Sequence, residues 1–142
     1  MFINNIIRLW LLCFIVFISF NAHSIDIITH PVVTTKSLTT AQLRRIYSMR
    51  QLLWDSGLPI VVFVLPSKNK LHQNFAIKIL RMFPYQLDRI WHKLTYSGIG
   101  NAPVVVNDAQ ALINAVMNTP GAIGYMEKVP NNNKINIISI KG

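Results

Sequence analysis

Pro59-Ile60-Val61-Val62-Phe63-Val64-Leu65-Pro66 is an unbroken apolar run closed by proline at both ends. Four of its six inner residues are β-branched, and the run is too short for a buried helix. It has no polar/apolar alternation, so neither face of the strand it predicts meets water. Strands buried on both faces belong to parallel sheets covered by helices. The flanking segments have the periods this reading requires. Trp54-Asp-Ser-Gly57 makes a turn before the run. After Pro66, Leu71, Phe75, Ile79 and Leu80 fall at helical spacing.

Further out, the same alternation continues. Ile25-Asp-Ile-Ile-Thr29 is a β-prone run ended by His30-Pro31. Thr39-Thr-Ala-Gln42 has the capping-box pattern, which starts a helix near Thr40 that carries Leu43, Ile46 and Tyr47. Pro84 opens a helix with Leu87, Ile90, Trp91 and Leu94 on one stripe, and Ser97-Gly-Ile-Gly100 ends it. Pro103-Val-Val-Val106 reads as a strand, with Asn107 capping the helix that bears Leu112, Ile113 and Val116. Thr119-Pro-Gly121 turns into the strand Ala122-Ile-Gly-Tyr125. Asn131 to Asn133 form a loop, and Ile135 to Ile140 a last strand. Strands alternating with helices predict an α/β fold with a mostly parallel sheet. With no repeat and no linker, one compact domain is expected.

Of the 142 residues, 14 are basic and 5 acidic, and 51% are apolar. That composition excludes a disordered chain, and the charge calls for an anionic partner. Residues 9–20 read LWLLCFIVFISF, preceded by Arg8 and followed by Ala22-His23-Ser24. This is the pattern of a cleavable signal peptide, too short to span a bilayer. Cleavage after Ser24 defines segment 1–24 as the signal and 25–142 as the domain. It leaves 118 residues with a net charge of +8 and no cysteine, since Cys13 departs with the signal. The expected location is the periplasm, with no stable membrane span after cleavage. Retention of the segment as an anchor is the alternative.

Several segments together resemble the phosphate ABC-transporter substrate-binding proteins, in a short stand-alone form. Ser37 to Tyr47 followed by Trp54-Asp-Ser-Gly57 is similar to one stretch of that family, and Pro59 to Pro66 to the strand after it. Phe75, Trp91, Ser97-Gly98 and Pro103 follow in order. Thr119-Pro-Gly-Ala-Ile-Gly-Tyr125 resembles the family's TPGAIGY turn and strand, its most specific part. The resemblance implies a periplasmic-binding-protein-like fold lacking much of one lobe. No cofactor is expected. Where the family has a Ser-Gly-Thr motif opening a helix, this chain has Ser67-Lys-Asn-Lys-Leu-His72.

Ser67, Lys68, Asn69, Lys70 and His72 are nonetheless the leading candidates for binding phosphate or another small oxyanion. Helix N-termini present free N–H groups and partial positive charge, and two lysines add full charges. Read structurally, the same loop is a solvated cap. Ser97 and Gly98 are the second candidates, because glycine lets backbone N–H groups approach a ligand. Read structurally, they end a helix. The basic residues Arg44, Arg45, Arg50, Lys78, Arg81, Arg89 and Lys93, with His92, make either a solvated face or a surface for an acidic partner or anionic membrane. Export argues against nucleic acid.

Catalysis has no motif. Asp26, Asp55, Asp88, Asp108 and Glu127 form no paired-carboxylate signature. His30, His72 and His92 lack metal-site spacing and read as surface or capping histidines. Trp54, Phe75, Trp91 and Tyr125 read as core anchors. The expectation is an exported, non-catalytic anion-binding domain. The alternative is a module that docks on an envelope protein or on itself.

Overall fold

A computed structural model of the chain describes residues 2–4, 24–128 and 134–142. Most of segment 1–24, including the apolar run 9–20 read as a signal peptide, and the loop at Asn131 to Asn133 lie outside the described residues. The strands are β1 (Asp26–Thr29), β2 (Ser37–Thr39), β3 (Val61–Val64), β4 (Val104–Val105), β5 (Ala122–Met126) and β6 (Asn136–Lys141). The helices are α1 (Thr40–Tyr47), α2 (Lys70–Asn74), α3 (Pro84–Ser97) and α4 (Ala109–Asn118), and a π-helical segment, Phe75–Leu80, continues α2.

The strands form one sheet in the order β2-β6-β1-β5-β3-β4. The pairs β2–β6, β3–β5 and β3–β4 are parallel, whereas β1 is antiparallel to both neighbours. Five strands therefore run one way and β1 alone opposes them, giving the α/β, mostly parallel architecture the alternation predicts. All of β5 is buried, and so are Val62 to Leu65 around β3. Helices supply the rest of the core through Leu43, Ile46, Phe75, Leu87, Trp91, Leu112 and Val116.

Local chemistry sets the helix ends. The capping box is complete: Gln42 N–H donates to Thr39 Oγ1 at 3.1 Å, and Thr39 N–H to Gln42 Oε1 at 2.8 Å. The cap of α4 is Asp108, not Asn107. The Asp108 carboxylate accepts from Ala111 N–H at 2.8 Å, and Asn107 lies one residue too early. The stripe from Leu71 to Leu80 is not one α-helix. Wider winding after Asn74 brings Phe75, Ala76 and Leu80 together into the core. Arg81, left-handed at φ 54°, stops it, and the Arg44 Nε–H ties α1 to this end by donating to the Leu80 carbonyl at 2.6 Å. β2 has only three residues, too few for a readable period.

Candidate functional site

The loop Pro66 to His72 leaves the carboxyl end of β3 and enters α2. Its geometry is fixed from within. Asn69 N–H donates to the Pro66 carbonyl at 2.8 Å, and the Gln73 amide to the Ser67 carbonyl at 3.3 Å. Asn69 is the N-cap of α2, and its Oδ1 accepts from Leu71 N–H at 2.9 Å and His72 N–H at 3.4 Å. Two N–H groups that could meet an anion are thus already bonded. The Ser67 hydroxyl donates to Asp88 Oδ1 of α3 at 2.7 Å. Lys68 and Lys70 are exposed.

His72 occupies the first turn of α2, as expected, but its ring turns inward and is fully buried. It is a core histidine rather than a surface or capping one. Its Nδ1 lies 2.5 Å from the Tyr125 hydroxyl, which also accepts from Leu65 N–H at 3.0 Å. Which of the two donates follows the imidazole tautomer. Among the described residues, Nε2 has no hydrogen-bond partner. Burial pushes the His72 pKa below its ordinary value, and Asp88 opposes this in part. Burial likewise pushes the Tyr47 and Tyr125 phenols up, so both stay protonated. His30, by contrast, closes a turn by accepting from Val32 N–H, and His92 is exposed.

Beside the loop lies a cavity of about 340 Å³, lined by Leu65, Ser67, Asp88, Trp91, His92 and Pro103 among others. It joins the Ser67 end of the loop to the segment just past the 97–101 turn. Ser97 and Gly98 do not line it. The Ser97 hydroxyl donates to the Leu94 carbonyl at 3.3 Å, and Gly98, at φ 65°, ends α3 in the left-handed conformation. A larger hollow of about 590 Å³ lies around Thr34, Lys36, Asn136 and Ser139, remote from the loop. Among the described residues, no cluster of three or more histidine, cysteine or acidic side chains could hold a metal.

Asp88 and Tyr125 are the parts of this site that sequence reasoning missed. Each meets its partner across 21 and 53 positions of chain respectively, so no local spacing announces them.

No protein-family model and no curated protein sequence matches the chain. Solved structures do. A phosphate ABC transporter substrate-binding protein from Clostridium perfringens, with phosphate bound, superposes with a TM-score of 0.66 at 19% identity over 82% of this chain. An ABC-type phosphate transport receptor from Vibrio cholerae gives 0.64 at 14% identity over 82%. A phosphate-binding protein from Stenotrophomonas maltophilia gives 0.58 at 15% identity over 84%. The fold is similar to part of the fold of these phosphate-binding proteins. The chain spans 44%, 46% and 39% of the three in turn, less than half of each. Among the described residues, no helix is long and apolar enough to cross a membrane.

Proposed function

We propose that residues 25–142 are an exported, non-catalytic domain of the solute-binding type, released from segment 1–24, that binds phosphate or a similar oxyanion weakly at the loop Pro66 to His72. The observation that supports this reading is a basic loop at the carboxyl end of β3, on a fold shared with a protein that holds phosphate. Ligands of open α/β sheets bind at the carboxyl ends of strands. Lys68 and Lys70 supply the charge. Affinity is low for a stated reason: Asn69 already satisfies two helix-end amides, Ser67 is committed to Asp88, and His72 is turned away. An entering anion exchanges existing hydrogen bonds for new ones and gains only the difference. Ser97 and Gly98 belong to the carboxyl end of α3, whose partial negative charge disfavours an anion, and serve as its cap.

Isothermal titration with phosphate and with sulfate tests the reading. Weak binding is expected, lost in Lys68→Ala/Lys70→Ala. Asp88→Asn is expected to bind more tightly, because it removes a negative charge beside the anion and weakens the hold on the Ser67 hydroxyl. Absence of heat and of any shift in melting temperature at millimolar anion overturns the proposal.

A further inference from the structure

The outward face of α3 carries a pattern that the solute-binding reading leaves unused. At 100° per residue, Tyr85, Arg89, His92, Lys93 and Tyr96 fall within about 100° of arc. All five are exposed, Tyr96 at 89% and Tyr85 at 59%. Phe83, 55% exposed, extends the stripe by stacking on Tyr85 at 5.6 Å between ring centres. His92 meets Tyr96 edge-on at 6.4 Å. Exposed Lys78 and Arg81 precede the helix. The only acid of α3, Asp88, flanks the stripe on its His92 side and is bonded to Ser67. Leu87 and Trp91 hold the inner face in the core, so the stripe cannot rotate inward.

We infer that this face docks α3 flat on an anionic bilayer surface. A helix of fourteen residues is about 21 Å long. Its aromatic side chains stand near both ends, with cations between them and beside them. Tyrosine is favoured at the headgroup level, where its ring is buried and its hydroxyl stays wet. Arginine and lysine beside it meet lipid phosphates. Aromatic rings at both ends of a cationic helix face favour a bilayer surface over an acidic polypeptide, which needs charge alone. Such docking is peripheral, through side chains. It stands apart from the oxyanion reading, which uses Lys68 and Lys70.

The experiment uses the full chain in a Cys13→Ser background, with an environment-sensitive fluorophore on Tyr96→Cys or, facing elsewhere, on Asn114→Cys of α4. Vesicles of phosphatidylcholine with phosphatidylglycerol are compared with phosphatidylcholine alone. The label at position 96 is expected to move into an apolar environment only with the anionic vesicles, and the label at 114 to stay in water. Arg89→Ala/Lys93→Ala is expected to weaken this response roughly thirtyfold, and Lys68→Ala/Lys70→Ala to leave it unchanged. Three outcomes overturn the proposal: no response at 96, an equal response at 114, or a response indifferent to Arg89 and Lys93. If soluble polyglutamate moves the label at 96 and vesicles do not, the face serves an acidic polypeptide and the membrane docking falls.

Discussion

His72 is held neutral by its surroundings, and its buried Nε2 makes the fold sensitive to acid. The unfolded chain binds a proton at this ring near pH 6.5, whereas the folded chain resists until lower pH. Below pH 6.5 the unfolded state therefore binds more protons, and stability falls with pH until the folded pKa is passed. Denaturant midpoints measured between about pH 7 and pH 5 should decline in the native chain, and more shallowly in His72→Gln. Equal slopes would show that the ring is not the sensor. A second residue-scale test concerns glycine. Gly57 and Gly121 have almost the same positive φ, 85° and 83°. A Cβ at Gly57 meets nothing within 4 Å, while one at Gly121 lies 2.1 Å from the Pro59 carbonyl oxygen. Gly57→Ala should cost about 1 kcal/mol, the penalty of the left-handed region alone. Gly121→Ala should cost at least about 2 kcal/mol more, because backbone has to shift. Urea midpoints decide, and equal losses would mean that the turn yields without cost.

At the scale of elements, what can be read from sequence depends on how far apart the deciding atoms are. The box Thr39-Thr-Ala-Gln42 is legible because both of its hydrogen bonds span three residues. The choice between Asn107 and Asp108 is not, since both are good caps and the backbone alone selects which one faces Ala111 N–H. Asp108→Ala should lower stability by about 1 kcal/mol, and Asn107→Ala by less than about 0.5 kcal/mol. Thermal unfolding of the two variants checks the assignment, and the reverse order would contradict it. The π-helical segment escapes the sequence for another reason. Leu71, Phe75 and Ile79 are spaced by four, which suits an α-helix and a wider coil alike. Packing decides, through Phe75 stacked on Tyr125 at 4.0 Å and Leu80 anchored by Arg44.

Across the whole molecule, the sheet grades from a covered centre to a thin edge. β1 and β5 are hydrogen-bonded on both sides, and most of their side chains are buried. β4 has two residues, both exposed, and among the described residues pairs only with β3. Amide hydrogen exchange should be slowest at Ile27, Ile28, Ile123 and Tyr125 and early at Val104 and Val105. Uniform protection would contradict the grading. The charge is also a property of the whole. Two uses for it are proposed, the basic loop at Lys68 and Lys70 and the outer face of α3. They draw on different residues and fail independently.

The sequence by itself determined the periods. Ile60 to Leu65 had to be a strand covered on both faces. The stripe Leu87, Ile90, Trp91, Leu94 had to be a helix with one face inward. Thr119 to Tyr125 marked the family likeness that the solved structures bear out as fold. Only the tertiary structure decided that β1 runs against its neighbours, that His72 points into the core, and that Ser67 is held by Asp88. The physical reason is range. Periodicity and capping are settled within a few residues by steric and hydrogen-bond rules, whereas strand direction, burial of a polar ring and a bond across 21 residues depend on which distant surfaces the hydrophobic core brings together.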